Sequence, residues 1–306
     1  MEVIFLKARQ QLVKEISAQG KKPYPLVKKF TSTHYKIDKT PEGFNTFFNL
    51  LITYAEKGAA LLKGSLKRKL KNESRAMMTD RLAQTSLLVF DLDGVEFPIP
   101  TKSTLNQFDI QSIAEQFVTY LPPEFQDVSY IAQASASLGL KGKKVSMHLF
   151  FILKDPIHPK VLKEWIRTLN YEVDFLTTQL KLSANGQSIA YPLDVSLAEN
   201  SRLIYIAPPK FVGVQNPITG DRFVSIIRGS STVDIGSLIK DVNPEKVYRI
   251  GIQIKDGLRK KAGLTKKKER ITTVNVRGES QEVLQNPDKM TIEICRISEP
   301  YVNCNI

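Results

Sequence analysis

The sequence predicts a mixed α/β protein, an α+β sheet with helices packed on it, and three observations carry that prediction. "TSLLVFDLD" (85–93) is a short apolar run with a β-branched residue, which reads as a buried strand. "VSYIAQASASL" (128–138) and "KVSMHLFFIL" (144–153) are two further strands joined by the basic, glycine-containing "GLKGKK", an antiparallel hairpin. "DIQSIAEQFVTYL" and "HPKVLKEWIRTLNYEVDFLTTQL" interleave with these strands at helical spacing. A hairpin inside the alternation favours a mixed sheet over a doubly wound parallel one.

Taken in order, residues 1–80 read as a helical, basic accessory region. In "TPEGFNTFFNLLITYAEKG", Thr40 is placed as an N-cap and Pro41 as the first helical residue. Phe44, Phe47, Phe48, Leu51 and Ile52 then form one apolar stripe. Beyond Gly58 the stretch to Arg75 is expected to continue as a basic amphipathic helix with its lysines outward. Residues 81–245 form the expected core. Its helices start at Asp109, as a cap, and near Pro159, and Trp165, Ile166 and Leu169 lie on one face of the second. After the Asn185-Gly186 turn, "QSIAYPLDVS" and "RLIYIAPP" read as strands. Residues 246–306 are expected as a basic linker or arm followed by short strands, "TTVNVRG" and "MTIEICRI". The chain stops without a helix cap, which suits a piece of something longer.

Of 306 residues, 44 are Lys or Arg and 31 Asp or Glu, a net charge of +13 that points to a polyanionic partner. The charge is clustered. Lys63, Lys67, Arg68, Lys69, Lys71 and Arg75 lie in one run, Lys141, Lys143 and Lys144 in a second, and Lys260, Lys261, Lys266, Lys267 and Lys268 in a third. Such clusters suit phosphate contact, so Lys63, Lys67, Arg68, Arg75, Lys260, Lys261 and Lys267 are candidate nucleic-acid ligands. No apolar run approaches the roughly 20 residues that cross a bilayer, and the N-terminus has no cleavage site of the secretory kind. Cys295 and Cys304 are too few for a disulfide framework. A cytoplasmic protein is the expectation, in the host cytoplasm if phage-encoded.

The chemistry concentrates on three strand positions. Residues i and i+2 of a strand share a face, so Asp91 and Asp93 present two carboxylates about 7 Å apart at the backbone. A divalent cation between them would remove their repulsion. Ser146 and His148 share a face in the same way, and Asp194 stands at a third expected strand end. Among the three histidines, His34, His148 and His158, His148 alone lies in a strongly apolar strand with a hydroxyl partner on its own side.

Two resemblances follow. "FDLDGV" is similar to the first motif of the haloacid-dehalogenase-type phosphohydrolases, which would make Asp91 a nucleophile, but no paired acid follows downstream. Asp91-x-Asp93, Ser146-x-His148 and Leu193-Asp194 together resemble the three motifs of the archaeo-eukaryotic primase superfamily, over residues 86–206. "LAENSRLIYIAPPKF" looks like the phage and plasmid primase-polymerase branch. That resemblance implies an RNA-recognition-motif-like catalytic core and a template-directed nucleotidyltransferase, a DNA primase or DNA polymerase. Asp91, Asp93 and Asp194 would hold two Mg²⁺ or Mn²⁺ ions, and His148 with Ser146 would contact the phosphates of a nucleoside triphosphate. Lys144, Arg202 and Ser137 are further candidates for that nucleotide. Single-stranded DNA template and primer would be the partners, with a replicative helicase in cis or in trans. The alternatives are the phosphohydrolase and a non-catalytic, DNA-binding replication-initiator module.

Overall fold

In the computed structural model, the described residues are 1–96, 109–140, 142, 144–218 and 220–264, with the backbone of 270–274 and 280–284. The chain divides into two compact units, Met1–Lys255 and Asp256–Ile306. In the second, strands Arg270–Val274 and Ser280–Leu284 pair antiparallel, the first of them overlapping the expected "TTVNVRG" strand. "MTIEICRI" and both cysteines lie outside the described residues.

The first unit contains two four-stranded sheets. One runs, in spatial order, Leu203–Tyr205, Ala60–Leu62, Glu2–Lys7, Thr31–Lys36, every neighbour antiparallel. The helical reading of residues 1–80 is therefore corrected. Only Pro41–Glu56 is helical there, capped by Thr40 as expected, with Phe44, Phe47 and Leu51 buried. Glu2–Lys7 shows no sequence alternation because both its faces are covered. Val3 and Phe5 enter one core, Ile4 and Leu6 another. The stretch after the helix is also not helical. Gly58 has φ +65 at the helix end, and residues 60–62 and 65–66 are strands.

The second sheet runs Phe223–Ile226, Tyr130–Ala134, Lys144–Ile157, Thr85–Glu96, again antiparallel throughout. The expected hairpin is present, with Met147 opposite Ala134 and Phe150 opposite Ile131. The result is a mixed α/β architecture with antiparallel sheets. Along Thr85–Glu96 the faces alternate. Leu88, Phe90 and Leu92 pack with helices Ile110–Val118 and Pro159–Glu172, around Trp165. Leu87 and Val89 turn the other way, into a core shared with helix Pro41–Glu56 and strand residues Val3, Phe5, Leu61 and Ile204. Period-two alternation then places Asp91 and Asp93 on this second face, where the apolar filling ends.

Three smaller corrections concern elements near the site. The expected strand "QSIAYPLDVS" shrinks to Ile189–Ala190 and an isolated bridge from Leu193 to Leu92. Asp194 accordingly ends no strand; it caps a short 3-10 turn, Val195–Ala198. The lysine-rich arm begins as a helix, Pro244–Lys261. Among the described residues no helix is long and apolar enough to cross a membrane.

Candidate active site

Asp91 stands directly opposite His148, and Asp93 opposite Ser146, in neighbouring antiparallel strands. The register that achieves this contains a bulge. Val145 pairs with Val95 and Ser146 with Asp93, leaving Gly94 as the extra residue with φ +70. Glycine reaches that backbone region without steric cost. The Gly94 N–H donates to Ser146 Oγ at 3.0 Å, and Ser146 Oγ donates to Asp93 Oδ1 at 3.3 Å. Ser146, buried under the bulge, thus steers the second carboxylate.

Asp194 arrives from the opposite side of the same strand end. Its backbone N–H donates to the Asp91 carbonyl at 3.0 Å. The buried Asn170 holds the preceding residue from both sides: its Nδ2 donates to the Leu193 carbonyl and its Oδ1 accepts from the Leu193 N–H. The Asp194 carboxylate accepts from Ser196 N and Ser196 Oγ, each at 2.8 Å.

Electrostatics mark Asp91 out. Burial, then the charges of Asp194 and Asp93, push its carboxyl up to about 8, while Lys14 pulls the other way. A quarter of its side chain (24%) still opens to solvent through the cleft. His148 is pushed down to about 4, first by burial and then by Lys14, with Asp93 opposing. Its Nε2 lies 3.4 Å from Asp91 Oδ1. Both shifts disfavour charge, so at neutral pH this is a neutral acid beside a neutral imidazole rather than an ion pair.

The histidine's tautomer follows from its other neighbour. Gln133 Nε2 donates to the Ile206 carbonyl at 2.8 Å, which leaves Gln133 Oε1 as the acceptor 2.9 Å from His148 Nδ1. The proton is therefore on Nδ1, and Nε2 presents a lone pair toward Asp91.

The donor chemistry of the three carboxylates suits a divalent cation, because a cation removes the repulsion that raises Asp91. Their present placement does not make a ligand cage. Among the described residues, no three His, Cys, Asp or Glu side chains converge as a metal site. Asp194 is turned onto Ser196 instead.

Asp91, Asp93 and His148 line one cleft of about 170 Å³, together with Lys14, Tyr24, Ser135, Ser137, Leu203 and Tyr205. Of the sequence candidates, Asp91, Asp93, His148 and Ser137 line it. Ser146 and Asp194 abut it through the bonds above. Lys144 and Arg202 are not among its lining residues: Lys144 pairs with Glu96 at 3.2 Å and Arg202 with Glu199 at 3.5 Å.

The basic candidates divide. Lys63 was expected outside; it is 2% exposed, and its Nζ donates to the Leu87 carbonyl. Burial lowers its pKa to about 7. The reason is sheet formation: Ala60–Leu62 inserts between two strands and carries Lys63 under Leu87. Lys67 and Arg68 are exposed, although Arg68 makes a two-pronged pair with Glu73. Arg75 is half-buried and donates to the Ser201 carbonyl. Lys260 and Lys261 are exposed in the last turn of their helix, and Lys267 lies outside the described residues, as do Lys141 and Lys143.

Sequence reasoning missed Lys14, Tyr24, Gln133, Tyr205 and Arg222. Gln133 was recoverable, since it shares a strand face with Ile131 opposite His148. Lys14 and Tyr24 come from a segment with no strong period and meet the site only through tertiary folding.

No family model matches the chain, and no curated protein matches it in sequence. Among solved structures it is similar to the AEP domain of a primase-polymerase from cyanophage S-2L. The identity is 11% and the TM-score 0.33, over 79% of this chain and 89% of that one. A likeness of that size does not decide the fold.

Proposed function

We propose that this chain is a metal-dependent nucleotidyltransferase of the primase-polymerase kind, extending or synthesising primers on single-stranded DNA. One observation carries the reading. Three short motifs spread from Asp91 to Asp194 meet at one strand end, with Asp91 opposite His148, Asp93 opposite Ser146 and Asp194 bonded to the Asp91 backbone.

Asp91 and Asp93, with Asp194 once its carboxylate turns from Ser196, would hold Mg²⁺ or Mn²⁺. Bound there, the metal would acidify a primer 3′-hydroxyl and neutralise the triphosphate and leaving pyrophosphate. The chain's own residues prepare the site. Asp91 holds a proton in the metal-free state, and Ser146 aims the Asp93 carboxylate. His148, fixed by Gln133, keeps Nε2 on the cleft side, where the negative charge of a nucleotide phosphate would favour its protonation and make it a donor. Exposed Lys67, Lys69, Lys71, Lys260 and Lys261 supply cations for the DNA backbone. A phosphohydrolase using Asp91 as nucleophile is less well served, since no paired acid follows downstream in the chain.

The test is incubation with circular single-stranded DNA, Mg²⁺ or Mn²⁺ and labelled nucleotides, with and without a primer. Incorporation by the wild type that disappears in Asp91→Ala and Asp93→Ala, with DNA binding retained, is the expected result. DNA binding with no incorporation by the wild type under either metal would reject the catalytic reading in favour of a binding module.

A further inference from the structure

The cleft has a cationic wall that neither the three motifs nor the basic runs include. Lys14 lines it, directly ahead of strand Glu15–Ser17. Its backbone is pinned: the Lys14 carbonyl accepts from Lys210 N at 2.8 Å, and Leu12 N donates to the Gly58 carbonyl two residues earlier. The Lys14 ammonium sits 4.8 Å over the Tyr24 ring, and Tyr24 stacks on Tyr205 at 3.7 Å. Both tyrosines line the same cleft. Lys14 is also the cation whose charge acts on both Asp91 and His148.

A second cation backs this wall. Arg222 is half-buried; its Nη2 donates to the Ser135 carbonyl at 2.7 Å, and its buried Nη1 has no hydrogen-bond partner. Ser135 and Ser137 line the cleft, their hydroxyls 3.1 Å apart. The cleft therefore brings carboxylates, an ammonium and two serine hydroxyls together among aromatic and aliphatic lining residues. That mixture suits a ligand with an anionic end and a metal-bound end. At about 170 Å³ the cleft is below the roughly 300 Å³ at which a pocket encloses a drug-sized ligand, so it fits the phosphate part of a nucleotide while the rest extends outward.

We propose that Lys14, backed by Arg222 and sharing the cleft with Ser135 and Ser137, is the residue that binds the nucleotide's phosphates, in place of Lys144 and Arg202. This inference rests on the nucleotidyltransferase reading for its ligand, and the test separates the two. The binding of dATP and of inorganic tripolyphosphate to the full chain is measured directly, without DNA, for the wild type, Lys14→Ala, Lys14→Met and Lys14→Arg. Melting temperatures show that each variant is folded, and Lys14→Met keeps the aliphatic stem over Tyr24.

The expected result is a loss of about tenfold or more in affinity for both ligands on Lys14→Met, as for a charge-assisted hydrogen bond, with substantial recovery in Lys14→Arg. In extension assays the same variant should raise KM for nucleotide more than it lowers kcat. Wild-type affinity in folded Lys14→Met would overturn the proposal, and so would an equal loss in Arg202→Ala, which would reduce the effect to general surface charge. If the wild type binds dATP through Lys14 but incorporates nothing, the phosphate site stands and the polymerase reading falls.

Discussion

The backbone N–H of Asp194 donates to the carbonyl of Asp91 at 3.0 Å, tying the third acidic motif to the first through main chain rather than side chain. The two carboxylates are thereby held close enough for Asp194 to be the largest charge acting on Asp91. The fold maintains this repulsion, with Asn170 clamping Leu193 from behind.

A pH signature follows in the metal-free protein. The folded-state pKa of Asp91 is raised to about 8, so its contribution to stability is fully present below pH about 4 and is lost as pH rises through 8. Asp91→Asn removes that loss. Its melting temperature should match the wild type near pH 4 and exceed it increasingly toward pH 8, while nucleotide incorporation is abolished. Thermal melts in chelator across this range provide the check; parallel curves would contradict the assignment.

Gln133 is a positioning residue. Gln133→Ala strips a partner from the buried His148 Nδ1 and from the Ile206 carbonyl. Unsatisfied buried groups of this kind cost about 1–3 kcal/mol each. Urea denaturation should show a loss of about 2–6 kcal/mol for the two groups together, and the pH–rate profile should shift because the tautomer is no longer fixed. A normal profile with lowered stability would confine Gln133 to a structural role.

The Gly94 bulge sets the aim of Asp93. Gly94→Ala places a side chain at φ +70, a strain of about 1–2 kcal/mol. If the strand relaxes to escape it, Ser146 loses Gly94 N and Asp93 moves. Incorporation should therefore fall much further than a loss of 1–2 kcal/mol in stability explains, by comparison of rates below the melting transition.

Lys63 and Lys67 should behave oppositely. Burial lowers the folded-state pKa of Lys63 to about 7, so its charge penalty grows as pH falls from about 10.5 to 7 and is fully present below. Lys63→Met should raise the melting temperature at pH 6 and leave the salt dependence of DNA binding unchanged. Lys67→Ala, at an exposed site, should leave melting unchanged and reduce the salt slope by about 1. A reduced slope in Lys63→Met would mean that Lys63 reaches DNA after all.

The amino-acid sequence by itself determined the local features: the Thr40 and Asp109 caps, the hairpin, the apolar strand ending in two acids, and the pairing of Ser146 with His148 on one face. These depend on periods of 2 and 3.6 residues and on capping chemistry, which a short window contains. Gly94 was visible too, but its purpose was not, because a bulge is defined by the partner strand. Tertiary structure alone decided that Glu2–Lys7 is a strand, since a segment buried on both faces shows no alternation. It also decided that Lys63 is inside, that Lys14 enters the cleft, and that Gln133 sets the tautomer of His148. Each depends on pairings between distant segments, such as Leu62 with Leu203, and charge or hydropathy along the chain has no term for such a partner.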